Sequence, residues 1–78
     1  MDRGMLWFDN NPNTDLKVKV RLAADYYRKK FGRLPDLCFV NPSALSREIV
    51  TDEKIAVRPY RSVLPDHLWI GISEAGAI

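Results

Sequence analysis

The sequence predicts an α+β domain: a mixed sheet of about four strands in β-α-β-β-β order, one long helix packed on one face, and a short second helix. Three observations predict it. An apolar tetrapeptide, Met5-Leu6-Trp7-Phe8, ends in the polar turn Asp9-Asn10-Asn11-Pro12-Asn13-Thr14. A strongly amphipathic stretch then runs to Phe31-Gly32, and a second apolar tetrapeptide, Leu37-Cys38-Phe39-Val40, follows it. Two later apolar segments, Ile55–Arg58 and Leu68–Ile72, are separated by turn residues.

The first strand is expected at Met5–Phe8, with Met1–Gly4 a loose extension, because those four residues lack its apolar character. The helix follows from spacing. Leu16, Val20, Ala23, Ala24, Tyr27 and Phe31 recur at three- and four-residue steps and so share one face. Asn13 or Thr14 can cap its start, and Asp15 in the first turn opposes the positive end of the dipole. Lys29 and Lys30 suit the other end, Gly32 supplies a left-handed stop, and Pro35 forbids continuation. Asp25 is positioned to pair with Arg21 and Lys29, four residues away on either side.

After the second strand, Asn41-Pro42 matches the cap and first position of a short helix reaching Arg47. Residues 48–54 read as a loop whose Ile49 and Val50 touch the core. The third strand, Ile55–Arg58, ends at Pro59, which marks an edge or a bulge. Leu64-Pro65-Asp66-His67 is turn chemistry, and Leu68–Ile72 is the fourth strand, expected to pair antiparallel with the third. Residues 73–78 are expected to be a loose tail.

Seventy-eight residues make a single domain, 1–78, and one of this size buries only about 60% of its unfolded surface. Small domains supplement such a core with disulfides, a metal or oligomerisation. A single cysteine excludes an intrachain disulfide, and one histidine beside it excludes the usual four-ligand zinc sites. Self-association is the remaining aid. No cofactor and no metal are expected. The absence of a charged-then-apolar leader or a long apolar run, with one lone thiol, points to a cytoplasmic protein with no membrane partner.

The strands themselves argue for a partner. Leu6 and Phe8 alternate with Met5 and Trp7, and Leu37 and Phe39 with Cys38 and Val40, so both faces are apolar. Strands of that kind are buried on both sides. One helix covers one side. The other is expected to meet a second copy or a protein partner, with Trp7 and Cys38 as the residues that the chain cannot enclose by itself.

Three constellations could carry chemistry. The turns after the first two strands bring Asp9, Asn10, Asn41 and Ser43 to the carboxyl ends of parallel strands, where a carboxylate, amides and a hydroxyl can orient a small polar ligand. An enzyme using Asp9 with Asn41, Ser43 or His67 is the least supported reading, since no acid–base pair is visible and no catalytic set is assigned. The helix is basic. Residues 15–33 hold seven cations and two anions, a net +5 in a chain of total +2, so the rest carries −3. Lys17, Arg21 and Arg28 form a stripe with Asp25 between them, and Lys19, Lys30 and Arg33 lie to the side, with Lys29 and Arg33 joining the stripe as candidate nucleic-acid contacts. Such a surface can meet nucleic-acid phosphates but holds nothing selected to read bases. Arg58-Pro59-Tyr60-Arg61 is a basic-aromatic edge of the kind that stacks on bases or binds a peptide. Turn, cap and solubility roles explain the same residues without a ligand, which leaves a non-catalytic, homodimeric binding or assembly module as the leading expectation.

The strings Leu37–Ser43, Ile55–Ser62 and Leu64–Gly71, with a helix ending Tyr26-Tyr27-Arg28-Lys29-Lys30-Phe31-Gly32, resemble short uncharacterised bacterial proteins. The resemblance covers residues 5–72. It implies a stand-alone domain and transfers no functional residues.

Overall fold

The structure, a computed structural model, describes residues 3–73. Its elements are β1 (Arg3–Phe8), α1 (Leu16–Phe31), β2 (Leu37–Val40), β3 (Ile49–Val50), β4 (Ala56–Pro59) and β5 (His67–Ile72). They form an α+β domain with one five-stranded mixed sheet in the order β1-β5-β2-β4-β3.

The helix forms where the apolar periodicity places it. Its cap is Asp15, whose Oδ1 accepts the Val18 N–H at 3.0 Å, rather than Asn13 or Thr14. Asn13 lies in the preceding turn, its backbone N–H donating to Asn11 Oδ1. Gly32 ends the helix at φ 76°, and its N–H closes on the Arg28 carbonyl at 2.8 Å. The expected Asp25–Arg21 pair gives way to Arg28, while Lys29 holds the other carboxylate oxygen as expected.

Strand pairing departs from expectation in an instructive way. β1 and β2 point the same way, but β5 lies between them, antiparallel to both. The connection through α1 thus skips one position in the sheet, and the last strand fills it. β5 is apolar on both faces, with Leu68, Ile70 and Gly71 buried, which suits a central position. β4, with Arg58 and Pro59, pairs parallel to β2 instead of antiparallel to β5. β1 begins at Arg3, paired with Ile72, so residues 3 and 4 belong to the sheet. Ser73 extends the ordered end, its N–H donating to Asp36 Oδ1 at 2.7 Å. The rest of both expected loose ends lies outside the described residues.

The short helix expected after Pro42 does not form. One turn closes, from the Ala44 N–H to the Asn41 carbonyl, and goes no further. A single turn is a costly nucleus, and the segment must instead deliver Leu45 to the core and lead into β3. The 48–54 loop contains β3, joined to β4 by a turn that Thr51 organises. Its N–H and Oγ1 bond the Ile55 carbonyl and N–H, and Lys54 takes φ 68°.

Alternation sorts the sheet into two faces. Cys38, Val40, Val57, Leu68 and Ile70 point to α1 and meet Val20, Ala23, Ala24 and Tyr27 in the core. Met5, Trp7, Ile49 and Ile72 pack at its margin. The residues expected to need outside cover are therefore on the helix side. Cys38 is fully enclosed, and Trp7 lies against Tyr26 with ring centroids 5.3 Å apart. Burial pushes the Cys38 thiol up to about 12, because a thiolate there would lose its water. Of the complementary set, Leu6 and Phe8 lack cover, Phe39 is half-buried and Leu37 is buried.

Candidate functional site

The face of the sheet away from α1 carries Leu6, Phe8, Phe39 and Trp69 along its strands. The 60–64 loop adds Tyr60 and Leu64 at one margin. Cross-strand register sets Leu6 beside Trp69 and Trp69 beside Phe39. Phe39 stacks against Trp69 at 5.6 Å and against Tyr60 at 4.8 Å, which makes an aromatic floor. Leu6 and Leu64, 63% and 65% exposed, stand on either side of it. Together they bound a groove of about 250 Å³. Gly4 shapes one end: a Cβ there would fall 1.9 Å from Trp69 Cζ2, so the indole lies directly over its backbone. Leu37 on this face is buried, but Leu6, Phe8, Tyr60 and Leu64 remain exposed among the described residues. Contiguous exposed apolar surface of this kind marks interaction sites.

The strand-end cleft brings together three of the four residues expected there. Asp9, Asn41 and Ser43 line a space of about 190 Å³ near the start of α1, and Asn10 does not. They meet although β1 and β2 are not adjacent, because antiparallel β5 begins at the same end and contributes Asp66 and His67. Lys19 completes the set. Its ammonium donates to the Asp9 carbonyl at 3.1 Å and lies 4.0 Å from the Asp9 carboxylate. The sequence signal for Lys19 was its position three residues after Leu16, which places it on the apolar face of the helix rather than beside the basic stripe.

Most polar atoms of this cleft serve the loops. Asp9 Oδ1 accepts the Asn11 N–H. Asn41 Oδ1 accepts the Ser43 N–H, and Asn41 Nδ2 donates to the Val63 carbonyl at 2.8 Å, tying the cleft to the loop above the groove. His67 stands between cleft and groove. Its Nδ1 is 2.9 Å from the Pro65 carbonyl, which calls for a proton on Nδ1 and leaves Nε2 as the acceptor. This geometry gives the cleft the chemistry of a loop clasp, with Lys19 as its central donor.

The basic helix surface is less uniform than its composition. Lys17, Arg21, Arg28, Lys29 and Arg33 are all exposed. Asp25 sits among them, 3.2 Å from Lys29 and 3.5 Å from Arg28. The Lys29 ammonium, with help from Arg28, holds the Asp25 carboxyl below its usual range. Arg21 and Arg28 flank a shallow groove that also contains Glu53. Acidic groups thus interrupt the stripe where a phosphate backbone would run. The 57–62 stretch is likewise committed: β4 is not an edge strand, Arg58 pairs with Glu48 at 3.1 Å, and Tyr60 belongs to the aromatic floor.

Among the described residues no helix is long and apolar enough to cross a membrane. The chain matches no protein-family model, no curated protein and no solved structure.

Proposed function

We propose that this chain is a small non-catalytic assembly module that self-associates through the open face of its sheet. The supporting observation is the contiguous apolar surface formed by Leu6, Phe39, Tyr60, Leu64 and Trp69. The proposed occupant is a second copy. The surface carries both an aromatic floor and flanking aliphatic ridges, so a two-fold arrangement can seat the Leu6 and Leu64 ridges of each copy on the floor of the other. Face-to-face sheets about 10 Å apart interdigitate in this manner. The small size of the chain favours it, since a second copy supplies buried area that one helix cannot.

Sedimentation of the full chain across a range of concentrations tests the reading. Self-association in the micromolar range is expected. Leu64→Glu, on an exposed loop, is expected to weaken it about tenfold or more, because it places a charge where a leucine is buried. A chain that stays monomeric at every concentration, or a Leu64→Glu variant that associates as well as the parent, would remove the proposal.

A further inference from the structure

The outer edge of β1 is a second feature that the described residues leave open. β1 is the terminal strand of the sheet. Beyond Arg3 at its start, its span Gly4-Met5-Leu6-Trp7-Phe8 contains no charge and no proline, the usual protections of an edge. The opposite edge, β3, is two residues long and follows Glu48, which is paired with Arg58.

The hydrogen-bond phase of β1 can be read from its neighbour. The Asp9 N–H donates to the Asp66 carbonyl at 2.9 Å, in register with the β1–β5 ladder. Antiparallel pairs alternate between hydrogen-bonded and non-hydrogen-bonded. Trp7–Leu68 and Met5–Ile70 are therefore the bonded pairs, and Gly4, Leu6 and Phe8 turn their N–H and C=O groups outward. The far side of β5 agrees. The Gly71 carbonyl accepts from the Asp36 N–H, so Gly71 faces β2 while Ile70 and Ile72 face β1. The same three residues, Gly4, Leu6 and Phe8, also project onto the open face.

We infer that β1 pairs edge to edge with β1 of a second copy, antiparallel about a two-fold axis through Leu6, extending the sheet across two chains. Only the register centred on Leu6 uses all three outward residues. It pairs Leu6 with Leu6 and Gly4 with Phe8 in both directions, each pair exchanging two backbone bonds. Side chains match in that register. Trp69 already covers Gly4 within one chain, and Phe8 of one copy comes beside the indole that lies over Gly4 of the other. The outward groups of β1 are spaced evenly about Leu6, so a second copy of β1 satisfies every one of them. This contact shares with the proposed function the identity of the partner and the side chains of Leu6 and Trp69. Its hydrogen bonds come from backbone groups, whereas the face contact uses side chains.

Amide hydrogen exchange on the full chain, followed by NMR at low and high concentration, tests it. The amides of Met5 and Trp7 are expected to be protected throughout by β5. Those of Leu6 and Phe8 are expected to slow about tenfold or more as the chain associates. If they exchange freely where sedimentation shows association, the edge pairing is wrong and the face contact stands. If they are protected in a monomer, another part of the chain covers the edge and the inference is also wrong. A chain monomeric throughout removes both proposals. A variant pair gives a second route. Leu6→Ala and Leu6→Pro both lose the side chain, but only proline removes the outward N–H, and it leaves the β5 ladder intact. Leu6→Pro is expected to associate about thirtyfold more weakly than Leu6→Ala, through the loss of the symmetric Leu6 bonds. Equal affinities would overturn the inference. Should Leu6→Pro fail to fold, the exchange pattern of the parent chain decides alone.

Discussion

The helix-side and open faces of the sheet come from the same five strands and draw on the same apolar alphabet. On the helix side Cys38, Val40, Val57 and Ile70 are excluded from water. On the other face Leu6 and Phe8 of β1 stand more than half exposed, although Leu37 of β2 is buried. What separates them is cover, since α1 is the one helix in the described residues. Strand composition reports what a face is suited to touch. It does not report which face the chain itself touches.

The largest expected effect breaks the comparison at its centre. Ile70→Ala should cost about 3 kcal/mol, from lost transfer energy and the cavity left under α1. Leu6→Ala in dilute protein should stay within about 0.5 kcal/mol, as for an ordinary surface change. Urea denaturation of both at low concentration measures the contrast. Similar losses for the two would mean that the open face is already covered within one chain.

Gly4→Ala sharpens the contrast on the open face. The new Cβ would occupy the space of the Trp69 indole, which must then leave its packing on Phe39. A loss of about 1 to 2 kcal/mol is expected, with a shift in tryptophan emission. In a Trp69→Ala background the loss should disappear, which a double-mutant cycle resolves. A full loss in that background would place the strain in the backbone of β1.

Much of this fold was legible in the sequence, and the reasons for the remainder are specific. Helix position followed from a periodicity that no other element could satisfy, and Gly32 ended it for local steric reasons. The α+β class followed from the order of the elements. The place of β5 did not, because pairing between Leu68–Ile72 and both Met5–Phe8 and Leu37–Val40 is a long-range choice that local chemistry does not encode. β3 was missed since two residues carry no periodicity. Alternation correctly split Leu6 and Phe8 from Met5 and Trp7, but nothing local said which set α1 would choose. The convergence of Asp9, Asn41 and Ser43 was anticipated from strand ends. Lys19 was legible as lying to the side of the basic stripe, but its ties to Asp9, ten residues away in sequence, were not.

Cys38 links the covered face to pH. Its ordinary value of 9.0 rises to about 12 on folding, so the folded chain holds a proton that the unfolded chain releases between those values. The resulting stability is complete below about pH 9 and is lost as pH climbs toward 12. At pH 10 the loss should be about 1 kcal/mol relative to neutral pH. Thermal unfolding of the parent and of Cys38→Ala at pH 7 and pH 10 isolates the thiol from other alkaline groups. A parent and variant that decline in parallel would show that Cys38 reaches water. In the same frame, thiol reagents at pH 8 should modify the folded chain far more slowly than the denatured one.

The smallest effect concerns a polar atom that the covered face has failed to satisfy. Tyr27 is fully buried against Phe31, with ring centroids 4.6 Å apart, and its hydroxyl has no hydrogen-bond partner among the described residues. Folding therefore strips water from that hydroxyl without replacing the bond, a penalty that phenylalanine avoids. The ring, which does the packing, is retained. Tyr27→Phe is expected to be neutral or to stabilise by up to about 1 kcal/mol, whereas removing a bonded tyrosine hydroxyl would destabilise. The neighbouring Tyr26→Phe, half exposed, should change nothing measurable and serves as the comparison within one helix turn. A clear loss of stability for Tyr27→Phe alone would reveal a partner for the hydroxyl, most simply an ordered water held inside the covered face.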